Sequence, residues 1–131
     1  MGSKMDKILA EISAGELFDK ITILEIKKTK ISNKEKLNNV EKELLSLNET
    51  VKKYIPNQNN ISRYIKDLKS INLKLWDIED GKRAAEKNKN FNEKFIELSR
   101  NVYKFNDERA KIKLTINNIL GSNIKEVKSH E

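Results

Sequence analysis

The sequence has no cysteine, one histidine, one proline and four glycines among 131 residues. Without cysteine there is neither a disulfide framework nor a thiolate metal site, and nothing points to a secreted chain. The single histidine, His130, stands in the C-terminal tail, which removes the basis for a His-based triad or a zinc site. The carboxylates show no Glu-x-x-His spacing, and the scattered glycines form no phosphate-cradling loop. No metal and no cofactor is implied. No apolar run approaches the roughly 20 residues that a membrane-spanning helix needs. The start lacks a secretory pattern, so the default address is the cytoplasm. Residues 1–4 (MGSK) read as an expression remnant, which leaves 5–131 as a single helical domain.

What the chain does have is charge and helical periodicity. Hydrophobic residues make up 37% and charged residues 36%, a balance that suits a thin helical protein with much surface. The formal net charge of +7 rests on 23 Lys and 4 Arg, beside 16 Asn and 16 Ile, the usage of an AT-rich coding sequence. These cations are mixed with Glu and Asp along every segment instead of forming a stripe interleaved with aromatics. A solvated helix surface accounts for them better than phosphate binding, so nucleic acid is the minority partner.

Helix starts are legible as capping boxes. SAGE (13–16), SNKE (32–35) and NFNE (90–93) each place a capping side chain three residues before a Glu. PNQNN (56–60) breaks one helix and offers Asn caps to the next, and Gly121 suits the close of the last. Between these marks run three-four seams: Leu37 to Tyr54 in the second helix, Ile61 to Ala85 in the third, Phe91 to Ile119 in the fourth. The expected fold is all-α, an antiparallel four-helix bundle with coiled-coil-like heptad seams, in which helices two, three and four stack as an up-down-up array. KILAEI (7–12) and NIKEVK (123–128) are short and nearly alternating, and a short terminal β-ribbon is expected of them.

GELFDKITILEIKK (15–28) poses the question of cover. Leu17, Phe18, Ile21, Ile23, Leu24 and Ile26 spread around the whole helix and leave no continuous face for water. A tight turn near Ser32 folds this helix back into the bundle; a straight passage leaves it to a second subunit. Four helices this thin leave little room to enclose one of their own, so the second is expected: these six residues are interface candidates and the protein is a homodimer.

Three cations interrupt the seams: Lys28, Lys82 and Arg109. Lys28 and Lys82 lie near helix ends and can reach water. Arg109 is level with mid-bundle and calls for a carboxylate, which Glu16 or Asp19 supplies if the first helix folds back. A guanidinium there is either a structural ion pair or a contact for a carboxylate or phosphate ligand. In LWDIEDGKRAAE (75–86), Trp76, Asp80 and Arg83 share one helix face, and Asn106 extends the polar set in NDER (106–109). Ligand-binding candidates are therefore Asp19, Trp76, Asp80, Arg83, Asn106 and Arg109, against the plainer reading of a packed anchor with surface ion pairs. No catalytic residue is assigned.

The segments GELFDKITILEIKKTKI, KLNNVEKEL, LWDIED, FIELSRNVYKFNDERAKIKLTINNILGS and IKEVKS resemble a family of small bacterial proteins known only as a domain of unknown function. The resemblance implies an accessory role around cell-surface polysaccharide synthesis. The functional expectation is thus a cytoplasmic scaffold that binds a protein partner. The alternatives are a small-ligand binder or enzyme acting on an anionic metabolite or sugar nucleotide through an Arg/Asp pocket, and non-specific nucleic-acid binding.

Overall fold

The computed structural model describes residues 5–127; residues 1–4, His130 and the end of the 123–128 segment lie outside them. Four helices follow in order: α1 (Ala14–Lys30), α2 (Lys34–Tyr54), α3 (Ser62–Lys87) and α4 (Glu93–Leu120). At about 1.5 Å per residue α1 is about 26 Å long, and α3 and α4 are each about 40 Å.

Local chemistry sets most of the ends. Ser13 caps α1 by accepting from the Glu16 amide. In the next two boxes the cap falls later than the sequence pattern places it. Asn33, not Ser32, caps α2, and Asn92, not Asn90, caps α4 through the Lys94 and Phe95 amides. The asparagines before α3 do not cap it. Asn57 closes its own turn by accepting from the Asn59 amide, while Ile61 occupies the cap position and is fully buried; apolar burial prevails over a cap bond there. Gly121 closes α4 in the left-handed conformation, φ 61°.

α3 and α4 form an antiparallel hairpin, and α1 crosses it. The start of α1 lies on α4, where Gly15 and Glu16 bond Asn117 and Lys113. Its middle bridges α4 and α3, with Asp19 bonded to both Arg109 and Asn72. Glu25 then pairs with Lys69 of α3 at 3.6 Å. A helix whose contacts migrate from one antiparallel partner to the other runs obliquely over both. α2 lies on the other side of α1 and, among the described residues, its backbone approaches that of no other helix.

The expected stack of helices two, three and four is therefore corrected: α1 is the central element and separates α2 from the hairpin. The spread of its apolar residues is the cause, since burying them needs neighbours on more than one side; the stripe of Glu16, Lys20, Ile23 and Lys27 stays partly open to water. The link 55–61, containing Pro56, carries the chain from the end of α2 to the start of α3. Leu17, Phe18, Ile21, Leu24 and Ile26 are all buried and Ile23 is partly so. The break after Lys30 is the tight turn that folds α1 back, and its cover comes from its own chain.

The core sits at one end. It joins Leu17, Phe18, Ile21 and Leu24 of α1 to Val40, Leu44 and Val51 of α2, Ile61 and Leu68 at the start of α3, and Ile116 near the end of α4. Farther along the hairpin, Ile78 is the one buried residue between 73 and 105. That half is a two-helix arm extending from a four-helix head.

No strand forms among the described residues, so the expected ribbon is absent. The two ends do meet, through side chains. Asn123 donates to Glu11 (2.6 Å), Ser13 donates to Glu126 (2.6 Å), and the Ala14 amide donates to the Ser122 hydroxyl (3.1 Å). Of the first-turn amides of α1, that of Ala14 finds the Ser122 hydroxyl and that of Gly15 the Asn117 side chain, in place of a backbone ladder.

Candidate functional site

The most concentrated polarity in the molecule lies where α1 crosses the hairpin. Asp19 is one of the few polar positions on the buried circumference of α1, and its residue is 1% exposed. Arg109 reaches it with two hydrogen bonds, Nε to Oδ1 at 3.0 Å and Nη2 to Oδ2 at 2.5 Å. This is the planar bidentate arrangement for which guanidinium is suited. The Asn72 amide nitrogen donates to Asp19 Oδ1 and to Thr22 Oγ1, both at 2.9 Å, and the Thr22 hydroxyl donates to the Asp19 carbonyl. Lys113 Nζ stands 3.6 Å from Asp19 Oδ2 and bonds Glu16 at 2.6 Å.

Electrostatics follow from this geometry. Burial would raise the Asp19 carboxyl, but the Arg109 hydrogen bonds, the Asn72 bond and the charges of Arg109 and Lys113 outweigh it and hold the group below its ordinary value. The Asp19 hydrogen bond raises Arg109 in turn. A carboxyl depressed in the fold contributes stability above its unfolded pKa, about 3.9, and that contribution is lost as pH falls through the lower folded value. The raised guanidinium contributes throughout the range below its own unfolded value. Melting temperature is therefore expected to fall on the acid side of about pH 4, with a shallower acid limb in Asp19→Asn; an identical limb in the variant contradicts the assignment.

The six candidates divide into two groups. Asp19, Arg109 and Asn106 come together, Asn106 accepting from Arg109 Nη1 at 3.4 Å. Trp76 is partly buried one turn beyond Asn72, on the arm. Asp80 and Arg83 are exposed, about 12 to 16 Å farther along the helix axis than Asn72, and Arg83 bonds Glu79 at 2.9 Å. Of the other seam cations, Lys28 is exposed and Lys82 lies 5.9 Å from the Phe95 ring centroid. Both prongs of Arg109 that face Asp19 are taken, and every buried side-chain nitrogen and oxygen among the described residues has a partner. The buried atoms of the crossing are satisfied within the chain, while the Arg109 side chain stays 30% exposed.

Sequence reasoning missed Asn72, Thr22, Lys113 and the close approach at Gly15. A signal existed for Thr22: it lies three residues after Asp19, on the same side of a helix whose apolar residues spread around most of its circumference. Asn72 follows Ile71 in the seam and carries no distinguishing pattern.

Residues 8–131 match the model of a family of unknown function, DUF6165. The chain belongs to that family. No curated protein and no solved structure matches it. In this DUF6165 chain, GELFDK supplies Asp19 and NDER supplies Arg109, so two of its distinctive segments meet in one ion pair, while LWDIED runs along the arm. No helix of the described residues is long and apolar enough to cross a membrane.

Proposed function

We propose that this DUF6165 protein is a docking scaffold whose α3–α4 arm receives an amphipathic helix of a protein partner. One observation carries the reading: the polar crossing is satisfied within the chain, while a stripe on α3 is left uncovered. That stripe starts beside Lys69, which pairs with Glu25 of α1. It continues through Leu73, 41% exposed, the partly buried Trp76, and the exposed Asp80 and Arg83. Tryptophan and arginine are the residue types that dominate binding energy at protein interfaces. The seating of α1 across the same hairpin supports the idea that these two helices accommodate a third. An accessory role around surface polysaccharide synthesis, implied by the family resemblance, suits a protein that acts by docking.

A second copy of the chain belongs to this reading through another face, because α1 needs no subunit to cover it. Affinity capture from native cells tests the arm directly. Leu73→Asp, at an exposed position, is expected to keep the melting temperature and lose the captured partner. Retention of the same partner by that variant contradicts the reading. A ligand-dependent rise in melting temperature across sugar nucleotides and anionic metabolites would instead favour a small-molecule site at Arg109.

A further inference from the structure

We infer that the outer face of α4 is a self-association surface, on which a second copy of this chain packs antiparallel about a two-fold axis near Lys104. The inference does not rest on the arm binding a partner helix. At 100° per residue, Ile96, Tyr103 and Leu114 fall within about 20° of one another on α4, on the side away from the core residue Ile116. They are 48%, 76% and 45% exposed. Such a stripe along the outside of a helix is the seam expected of a helix with a missing neighbour.

Shape points to the occupant. Beyond the middle of α4, the C-terminal segment stands off the helix and leaves a groove of about 310 Å³ whose apolar lining is Ala110, Leu114 and Val127. Ile96 projects eight residues before Lys104, and this groove lies six to ten residues after it. A copy turned end for end places its Ile96 in the groove, while the first Ile96 enters the groove of the copy. The two Tyr103 rings then meet beside the axis. An isologous contact of this kind needs a self-complementary patch, and the knob and the groove are on the same patch.

Charge agrees with the same register. Glu97 and Lys111 flank the stripe on one edge, seven residues either side of Lys104, and both are exposed. Arg100 and Glu108 flank it on that edge four residues either side. In the antiparallel pair each acidic residue meets the basic residue of the other copy, twice over by symmetry. A parallel pair would place this edge of the two copies on opposite sides of the contact, and these pairs would not form. A contact confined to one helix face and one groove buries less than the roughly 800 Å² per partner of stable complexes, so dissociation is expected in the micromolar range.

Sedimentation velocity on the full chain, from about 1 µM to several hundred µM, tests this. The expected result is a concentration-dependent rise from 15.3 kDa to twice that mass. Ile96→Asp and Glu97→Lys should each weaken association about tenfold or more with unchanged melting temperature. Glu97→Lys combined with Lys111→Glu should restore it, because the reversed pair is again complementary. A monomer across the whole range overturns the proposal. So does a dimer indifferent to Ile96→Asp, or one whose loss in Glu97→Lys is not restored by the second reversal.

Discussion

Arg109→Ala is expected to destabilise the protein by about 3–5 kcal/mol, the cost of leaving a buried carboxylate without its main partner. For a chain of this size that corresponds to a fall in melting temperature of roughly 10–20 °C. The loss has a specific origin. Asp19 is 1% exposed and draws three of its side-chain hydrogen bonds from Arg109 and Asn72. Removing the guanidinium takes two of them and most of the compensating charge, with Lys113 left 3.6 Å away. Adding Asp19→Asn to Arg109→Ala should recover much of the difference, because the uncompensated charge goes with it. If Arg109→Ala costs less than about 1 kcal/mol, the value of an exposed pair, the network is not the clamp described.

Gly15→Ala is expected to be destabilising by about 2–3 kcal/mol, in the range of overpacked cores, although alanine is the better helix former by about 1 kcal/mol. The reversal of sign is the informative part. A Cβ at Gly15 collides with the Lys113 carbonyl oxygen and stands 2.9 Å from Asn117 Oδ1. The first of these is backbone and cannot swing aside, so α1 must lift from α4. That movement also breaks the 2.6 Å bond from the Gly15 amide to Asn117. Gly81→Ala is the control, since its Cβ meets only the Leu98 side chain, at 3.0 Å. It should be nearly neutral in thermal melts. Stabilisation by Gly15→Ala would mean that α1 and α4 are not in contact at this point.

These two positions show how unevenly the fold is written in the sequence. The cap at Ser13, the α3 seam and the αL close at Gly121 are local signals found where the pattern puts them, while the α4 seam holds from Phe95 to Ile116 and fails at its ends, Phe91 and Ile119 being exposed. The need of Arg109 for a carboxylate from Asp19 or Glu16 was legible too, because a mid-seam charge has to be answered. What periodicity does not carry is which helix lies beside which. A seam states that a helix has a buried face without stating whose side chains bury it, and so α2 reads as a neighbour of α3 although α1 stands between them. Gly15 is silent for a related reason: a glycine inside a capping box looks like part of the turn, and only the crossing of α4 gives its missing side chain a purpose. Asn72 becomes visible only when Asp19 and Thr22 arrive from another helix.

α1 is the helix covered by its own chain, and native-state hydrogen exchange tests this most directly. It should be run at a concentration where the mass is 15.3 kDa. The amides of Phe18 to Ile26 are expected to be among the slowest to exchange, opening only with global unfolding, and to show the same protection when the protein is concentrated. Rapid exchange of this segment in the monomer, or protection that appears only as concentration rises, would mean that α1 is covered by another molecule and would contradict the account.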